Sequence, residues 1–254
     1  MSSAAELLRF DGKVAVVTGG YGGIGASVCR GLAELGAQVA VAGHNAEKAK
    51  ALAESIGGYA APFDGLSVSD TRRMVDEVAA HYGKLDILVN CVGLNQEAKA
   101  EDFDEERWDY VVDANLKSAM FQAQAAARHM IAQRSGKQVH IGSVRTQLGL
   151  RGRGYAAYCA AKGGLAILCK QLAAEWAPHQ INVNVVAPTF VRTELVAHML
   201  ADPKFYDALV GRIPLGRIAE PEDVRHAVLF FCSRSSDFVT GQILYLDGGI
   251  TATQ

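Results

Sequence analysis

Short apolar runs alternate with longer amphipathic stretches from residue 13 to residue 246. The runs at 13–18, 39–42, 60–63, 85–89, 138–141, 181–186 and 242–246 are too short for helices and read as buried strands. Between them, 26–35, 45–56, 68–82, 154–176 and 221–232 have helical composition. Gly36 closes the first of these helices, Pro178 follows the fourth, and Pro221 opens the last. Residues 103–134 read as one long helix or two abutting ones. Strand and helix alternate without a composition break, internal repeat or linker. This predicts a single α/β domain over 1–254, built on one doubly wound parallel sheet.

In such sheets ligands bind beyond the carboxyl ends of the strands. Gly19, Asp64, Asn90, Ser143 and Pro188 fall at five of those ends. After the first strand comes Gly19-Gly20-Tyr21-Gly22-Gly23-Ile24-Gly25, which fits two glycine templates. One uses Gly20, Gly22 and Gly25; the other uses Gly19, Gly23 and Gly25. A strand, a glycine turn and a helix N-terminus form a phosphate cradle, because backbone N–H groups and the helix dipole face the anion. This predicts a dinucleotide and a Rossmann fold. The second strand ends at Gly43-His44-Asn45, where a ribose discriminator is expected. No acid stands there to repel a 2′-phosphate and no arginine to welcome it. His44 suits either NAD or NADP, with a slight lean to NADP.

Past the fifth strand, Ser143 is followed by Tyr158 and Lys162. Tyr158 and Lys162 are four residues apart and share a helix face. A free tyrosine has a pKa of about 10, and a fixed cation nearby lowers it. Such a phenol exchanges a proton with an alcohol or carbonyl, and the Ser143 hydroxyl would hold the reacting oxygen.

The formal net charge is −2, with no long basic or acidic run. That argues against nucleic acid or an anionic membrane as partner. Five cysteines at irregular spacing, with no C-x-x-C, fit neither a disulfide framework nor a zinc site, and no metal is expected. No apolar run approaches the roughly 18 residues of a membrane span, and no secretory signal is read at the N-terminus. A cytoplasmic protein is the expectation.

From Gly12 to Gly249 the chain resembles the short-chain dehydrogenase/reductase family, in its branch of about 250 residues. The matching motifs are Thr18-Gly19-x-x-x-Gly23-Ile24-Gly25, Asp64, Asn115 within Asp113-Ala114-Asn115-Leu116, Ser143, Tyr158-x-x-x-Lys162, and Pro188 to Thr193. The resemblance implies that Ser143 orients the substrate oxygen and Tyr158 is the acid/base. Lys162 would bind the nicotinamide ribose and lower the Tyr158 pKa, and Asn115 would hold a relay water behind it. Cofactor contacts are expected from Gly19, Tyr21, Gly23, Ile24, Gly25, His44, Asn45, Asp64, Gly65, Asn90, Gly93, Tyr158, Lys162, Pro188, Val191 and Thr193. A substrate lid is expected at about 189–216. Two departures stand out. Asn90-Cys91-Val92-Gly93 replaces the usual Asn-Asn-Ala-Gly. Thr189 replaces a glycine, and a β-branched residue there disfavours positive φ.

The stretches 173–179 and 212–217 resemble the family's sugar-acid and polyol dehydrogenases, of gluconate 5-dehydrogenase type. Arg145, Arg151 and Arg153 lie between Ser143 and Tyr158, where guanidinium forks would grip an anionic small-molecule substrate. Their alternative is solvation or pairing with nearby acids. Arg145, Arg153, Asn95 and Ser143 are the expected substrate contacts. The favoured activity is hydride transfer between a secondary alcohol or ketone and a nicotinamide. The alternatives are an NADPH-dependent reductase of a ketone or 3-oxoacyl substrate and a catalytically silent dinucleotide-binding protein. The resemblance implies a homo-oligomer assembled through its long helices, a homotetramer, and small residues along 119–132 and 160–174 would allow the close helix approach this needs.

Overall fold

The computed structural model describes residues 3–253. Met1, Ser2 and Gln254, part of the single domain expected over 1–254, lie outside the described residues. A short α1 (Ala4–Leu7) precedes β1 (Val14–Thr18), α2 (Gly23–Glu34), β2 (Gln38–Gly43), α3 (Ala46–Ile56), β3 (Tyr59–Pro62) and α4 (Val68–Tyr82). Then come β4 (Ile87–Asn90), α5 (Glu105–Val112), α6 (Ser118–Gln133), β5 (Gly136–Ile141), α7 (Ala156–Trp176) and β6 (Ile181–Pro188). The chain ends through α8 (Glu194–Leu200), α9 (Pro203–Val210), α10 (Pro221–Cys232) and β7 (Ile243–Leu246).

All seven strands join one parallel sheet in the order β3-β2-β1-β4-β5-β6-β7. Alternate residues of a strand face opposite sides, and both sides are covered. Val14, Val16 and Leu88 pack with Met74, Ala123 and Leu165 of α4, α6 and α7. Ala15, Val17 and Val41 pack with Val28, Ala49 and Val228 of α2, α3 and α10. The strand order reverses between β1 and β4, which opens a crevice at their carboxyl ends.

The stretch 103–134 holds two abutting helices, the second of the two expected forms. A π turn, Asp113–Lys117, joins α5 to α6. The Asn115 side chain causes it: its Nδ2 donates to the Val111 carbonyl at 2.8 Å and the Leu94 carbonyl at 2.7 Å. A side chain that takes its own i−4 carbonyl competes with the helix ladder and widens it.

The lid segment contains two helices that the hydrophobic pattern did not reveal, α8 and α9. Asp202 caps α9 by accepting from the Lys204 N–H at 3.0 Å, and Pro203 opens it. The positive φ expected to be a difficulty at Thr189 does not arise. Among the described residues only Arg134 and Gln180 are non-glycine residues at positive φ. Thr189 instead extends the sheet edge, donating its N–H to Leu246 at 3.3 Å.

Candidate active site

The glycine turn decides between the two templates. Gly19 has φ +64, and a Cβ there would meet the Cys91 carbonyl at 2.9 Å. A Cβ on Gly25 would collide with the Gly19 carbonyl, and one on Gly23 with the Thr193 methyl, whereas Gly22 has ordinary room. Gly20 is tight as well, its Cβ meeting the Val17 carbonyl at 2.6 Å, so it is the room at Gly22 that counts against the first template and leaves Gly19, Gly23 and Gly25 as the one whose three glycines are all required. Gly22 caps α2 without any side-chain hydrogen bond, so the first-turn N–H groups, including that of Ile24, keep their capacity for an anion. An uncovered cradle that a Cβ would fill fits a dinucleotide pyrophosphate.

At the end of β2 the Tyr21 ring lies across Gly43. Its hydroxyl meets His44 Nδ1 at 2.9 Å and accepts from the Asn45 N–H at 3.1 Å. Tyr21, His44 and Asn45 thus form one hydrogen-bonded unit where the ribose discriminator is expected. At the end of β3, Asp64 is partly committed: its N–H donates to Asp70 at 2.6 Å and its Oδ1 accepts from Leu66 at 2.9 Å. Gly65 follows beside Ser118 and Phe63.

Asn90 ends β4 and turns its side chain inward. Its side chain is buried, with Oδ1 accepting from the Val92 N–H at 2.9 Å and from the Thr18 hydroxyl at 3.3 Å. Its Nδ2 faces His140 Nδ1 at 3.4 Å. These partners hold the turn that follows β4. Gly93, three residues on, is where the backbone comes close to the site. A Cβ there would meet Asn115 Oδ1 at 2.9 Å and Lys162 Nζ at 3.2 Å.

β5 delivers Ser143 and α7 delivers Tyr158 and Lys162. The Ser143 hydroxyl lies beside the Tyr158 phenol, and its Oγ accepts from the Arg145 N–H at 3.2 Å. Lys162 Nζ donates to the Ile141 carbonyl at 2.9 Å and lies 5.6 Å from the Tyr158 ring centre. Asn115 Oδ1 is buried without a partner, so the site retains one acceptor beside the lysine, suited to a water. The expected depression of the Tyr158 pKa by Lys162 is not met. Burial pushes the phenol up to about 12, opposed chiefly by the neighbouring Ser143 hydroxyl and, more weakly, by the Arg145 charge. Burial likewise lowers Lys162 to about 8.

Of the expected substrate contacts, Arg145 is buried beside Tyr158 and Tyr155, and Nη1 donates to the Leu148 and Gly149 carbonyls at 3.1 and 2.5 Å. No carboxylate pairs with it among the described residues; the other cation it feels is Arg212, just beyond α9. Asn95 presents both side-chain polar atoms buried and without a well-formed hydrogen bond, against the Tyr155 phenol. Arg153 does not offer a free charge. It pairs with Glu97, Nε to Oε2 at 2.6 Å, the alternative weighed for these arginines. Arg151 is exposed. On the lid side, Pro188 ends β6, Val191 bridges to Ala219, and Thr193 packs its methyl on Gly23.

Sequence reasoning missed Tyr155, Glu97 and Phe205, which surround Arg153. Tyr155 had a signal, since it lies three residues before Tyr158 at the start of the same helix. Glu97 and Phe205 had none. Among the described residues no group of three or more His, Cys, Asp and Glu is placed to hold a metal, and no helix is long and apolar enough to cross a membrane.

Comparisons with known proteins place the whole chain beside named dehydrogenases. The family profile described as Enoyl-(Acyl carrier protein) reductase matches residues 19–251. Gluconate 5-dehydrogenase of Gluconobacter oxydans is 38% identical over 259 residues, covering 99% of each chain. D-threitol dehydrogenase of Mycolicibacterium smegmatis is 37% identical, again over 99% of each. A crystal structure of a gluconate 5-dehydrogenase from Burkholderia cenocepacia, in complex with NADP and tartrate, superposes with a TM-score of 0.95. It is 37% identical and the match covers 99% of this chain and 100% of that one.

Proposed function

The chain belongs to the short-chain dehydrogenase/reductase family and is a nicotinamide-dependent oxidoreductase acting on CH–OH groups or their ketones; from that premise we propose that its substrate is a small hydroxylated acid, or the keto form, and that NADP is the preferred cofactor. The observation that carries the substrate reading is Arg145. A guanidinium buried beside the Tyr158 phenol, with no carboxylate to balance it among the described residues, leaves an uncompensated positive charge where substrate must lie. A carboxylate relieves that cost. The relative from Burkholderia cenocepacia holds tartrate, itself a small hydroxylated acid.

In this reading Ser143 and Tyr158 grip the reacting oxygen. The nicotinamide, when bound, supplies or accepts the hydride. Tyr158 gives its phenolic proton to a carbonyl, or takes one from an alcohol. With its pKa pushed up to about 12, the phenol stands protonated at neutral pH and is poised as the acid. Lys162 keeps a cation at the strand end beneath the phenol, and the free Asn115 Oδ1 holds a water through which the proton is replaced. Asn95 donates to or accepts from a substrate hydroxyl. The segment at 189–216 covers the pocket as a lid. Activity assays with NAD and NADP over sugar acids, polyols and apolar ketones test the reading. Acids turned over best with NADP support it, and a clear preference for apolar ketones contradicts it.

We also propose a homotetramer. The small residues of α6, Ala119, Ala123 and Ala126, pack on the chain's own sheet. Among the exposed apolar side chains, Trp108 and Tyr110 of α5 and Ile167 of α7, the last 65% exposed, lie on two helices that touch. A mass by light scattering near the 27.0 kDa of one chain contradicts the tetramer.

A further inference from the structure

Arg153 sits where three segments meet at the rim of the pocket. Its guanidinium pairs with Glu97, in the loop after β4. One neighbour is the Tyr155 ring, 5.8 Å from its centre, and another is the Phe205 ring of α9, at 5.7 Å. The two loops are themselves tightly joined. The Ala98 N–H donates to the Gly154 carbonyl at 3.3 Å, and no Cβ fits on Gly154 against Ala98. From this point ring contacts run in both directions. Tyr155 meets Tyr158 edge-on at 5.9 Å, and Phe205 meets Phe190 at 5.6 Å, two residues past Pro188. An unbroken series of contacts therefore links the phenol of Tyr158 to the lid.

The ends of the lid segment are fastened, by Val191 to Ala219 and Thr193 to Gly23 on one side and by the Leu215 N–H to the Gly248 carbonyl at 3.1 Å on the other, but its two helices bury little. Helix α8 buries no residue and α9 buries only Leu209. Its own apolar cluster consists of Leu209, Ile213 and Ile218 with partly buried neighbours that include Phe205 and Phe190. Helices with few buried contacts open at low free energy, so a side chain shared between α9 and the rim loops bears on how readily they do.

We propose that Arg153 is a positioning residue that latches the lid: it fastens α9 to the two loops at the pocket rim and thereby sets how long the lid stays closed over the substrate. Its charge is spent on Glu97 and it contacts the aromatic rings of both loop and lid, so it acts through Phe205 rather than on the substrate. Arginine suits this position because a flat guanidinium pairs with a carboxylate in its plane while it lies against aromatic rings. The proposal uses the reading of Tyr158 as acid/base only to say what the lid covers.

Hydrogen exchange of the 194–210 segment in the full chain tests the latch without turnover. Arg153→Ala and Phe205→Leu should each speed exchange there by roughly threefold to tenfold, the size of a cation–aromatic contact. The double variant should exchange no faster than the worse single one, since both break the same contact. Unaltered exchange in the single variants, or fully additive effects in the double, overturns the latch. Kinetics supply the second readout. Both single variants should raise the KM of the carbon substrate alike. A rise with Arg153→Ala alone would mean that Arg153 touches substrate, and a lower Tm without any KM change would mean a merely structural contact; either overturns the proposal. Tyr158→Phe should leave the exchange unchanged, so failure of the catalytic assignment and failure of the latch are separate results.

Discussion

Lys162 donates its ammonium to the carbonyl of Ile141 at 2.9 Å. The cation next to Tyr158 is thus fastened to the end of β5, the strand that also delivers Ser143 two residues later. The lysine is buried, and desolvation lowers its pKa to about 8, with the nearby Cys91 and Cys169 thiols opposing the shift. The site holds a charge that the fold alone would rather not bury.

That cost is measurable. A lysine with a folded pKa of about 8 against an ordinary 10.5 binds fewer protons than the unfolded chain between those values. Stability therefore rises with pH through that window, and the penalty is fully present below pH 8. Lys162→Met removes the penalty. At pH 7 it should stabilise the substrate-free protein by about 1–3 kcal/mol while losing activity, with the gain shrinking by pH 10. Denaturant unfolding of both proteins at pH 7 and pH 10 checks this. A variant less stable than wild type at pH 7 contradicts it.

Tyr158→Phe should reduce turnover by roughly 10²–10⁴-fold and leave cofactor binding largely intact, since the ring still packs against Tyr155 and Lys162. Steady-state rates and cofactor titration test this together. A variant that keeps more than half of the wild-type kcat removes Tyr158 from the proton transfer.

The Tyr21–His44–Asn45 unit carries no carboxylate, so a 2′-phosphate meets no repulsion there. We expect kcat/KM for NADP to exceed that for NAD modestly. His44→Asp should reverse the order by placing a negative charge at the same position. A wild-type preference for NAD of a hundredfold, or an unchanged preference in the variant, places the discriminator elsewhere.

Much of this was legible in the chain. Period and punctuation located every strand of the sheet, because each is an apolar run between turn residues. The helix over 68–82 has the bounds expected of it, and the structure shows Ser67 and Gly83 capping it. Ser143, Tyr158 and Lys162 were legible because their spacing survives folding. The π turn was not, since it depends on Asn115 reaching Leu94, a contact distant in sequence. Neither was the fate of Arg153. An arginine reads the same in sequence whether it is free or paired, and its partner Glu97 lies on another loop. The phenol's pKa also escaped the sequence, because burial outweighs charge there and only the fold sets burial.

Arg145 offers the most direct test of the account. A charge-assisted hydrogen bond contributes about 1.5–3 kcal/mol, so Arg145→Ala should lower kcat/KM for a sugar acid by roughly ten- to a hundredfold and leave a neutral polyol nearly unchanged. Measuring kcat/KM of wild type and variant on one acid and one polyol, at saturating NADP, decides it. A selective loss on the acid is the predicted result, and equal losses on both substrates would contradict the anionic pocket.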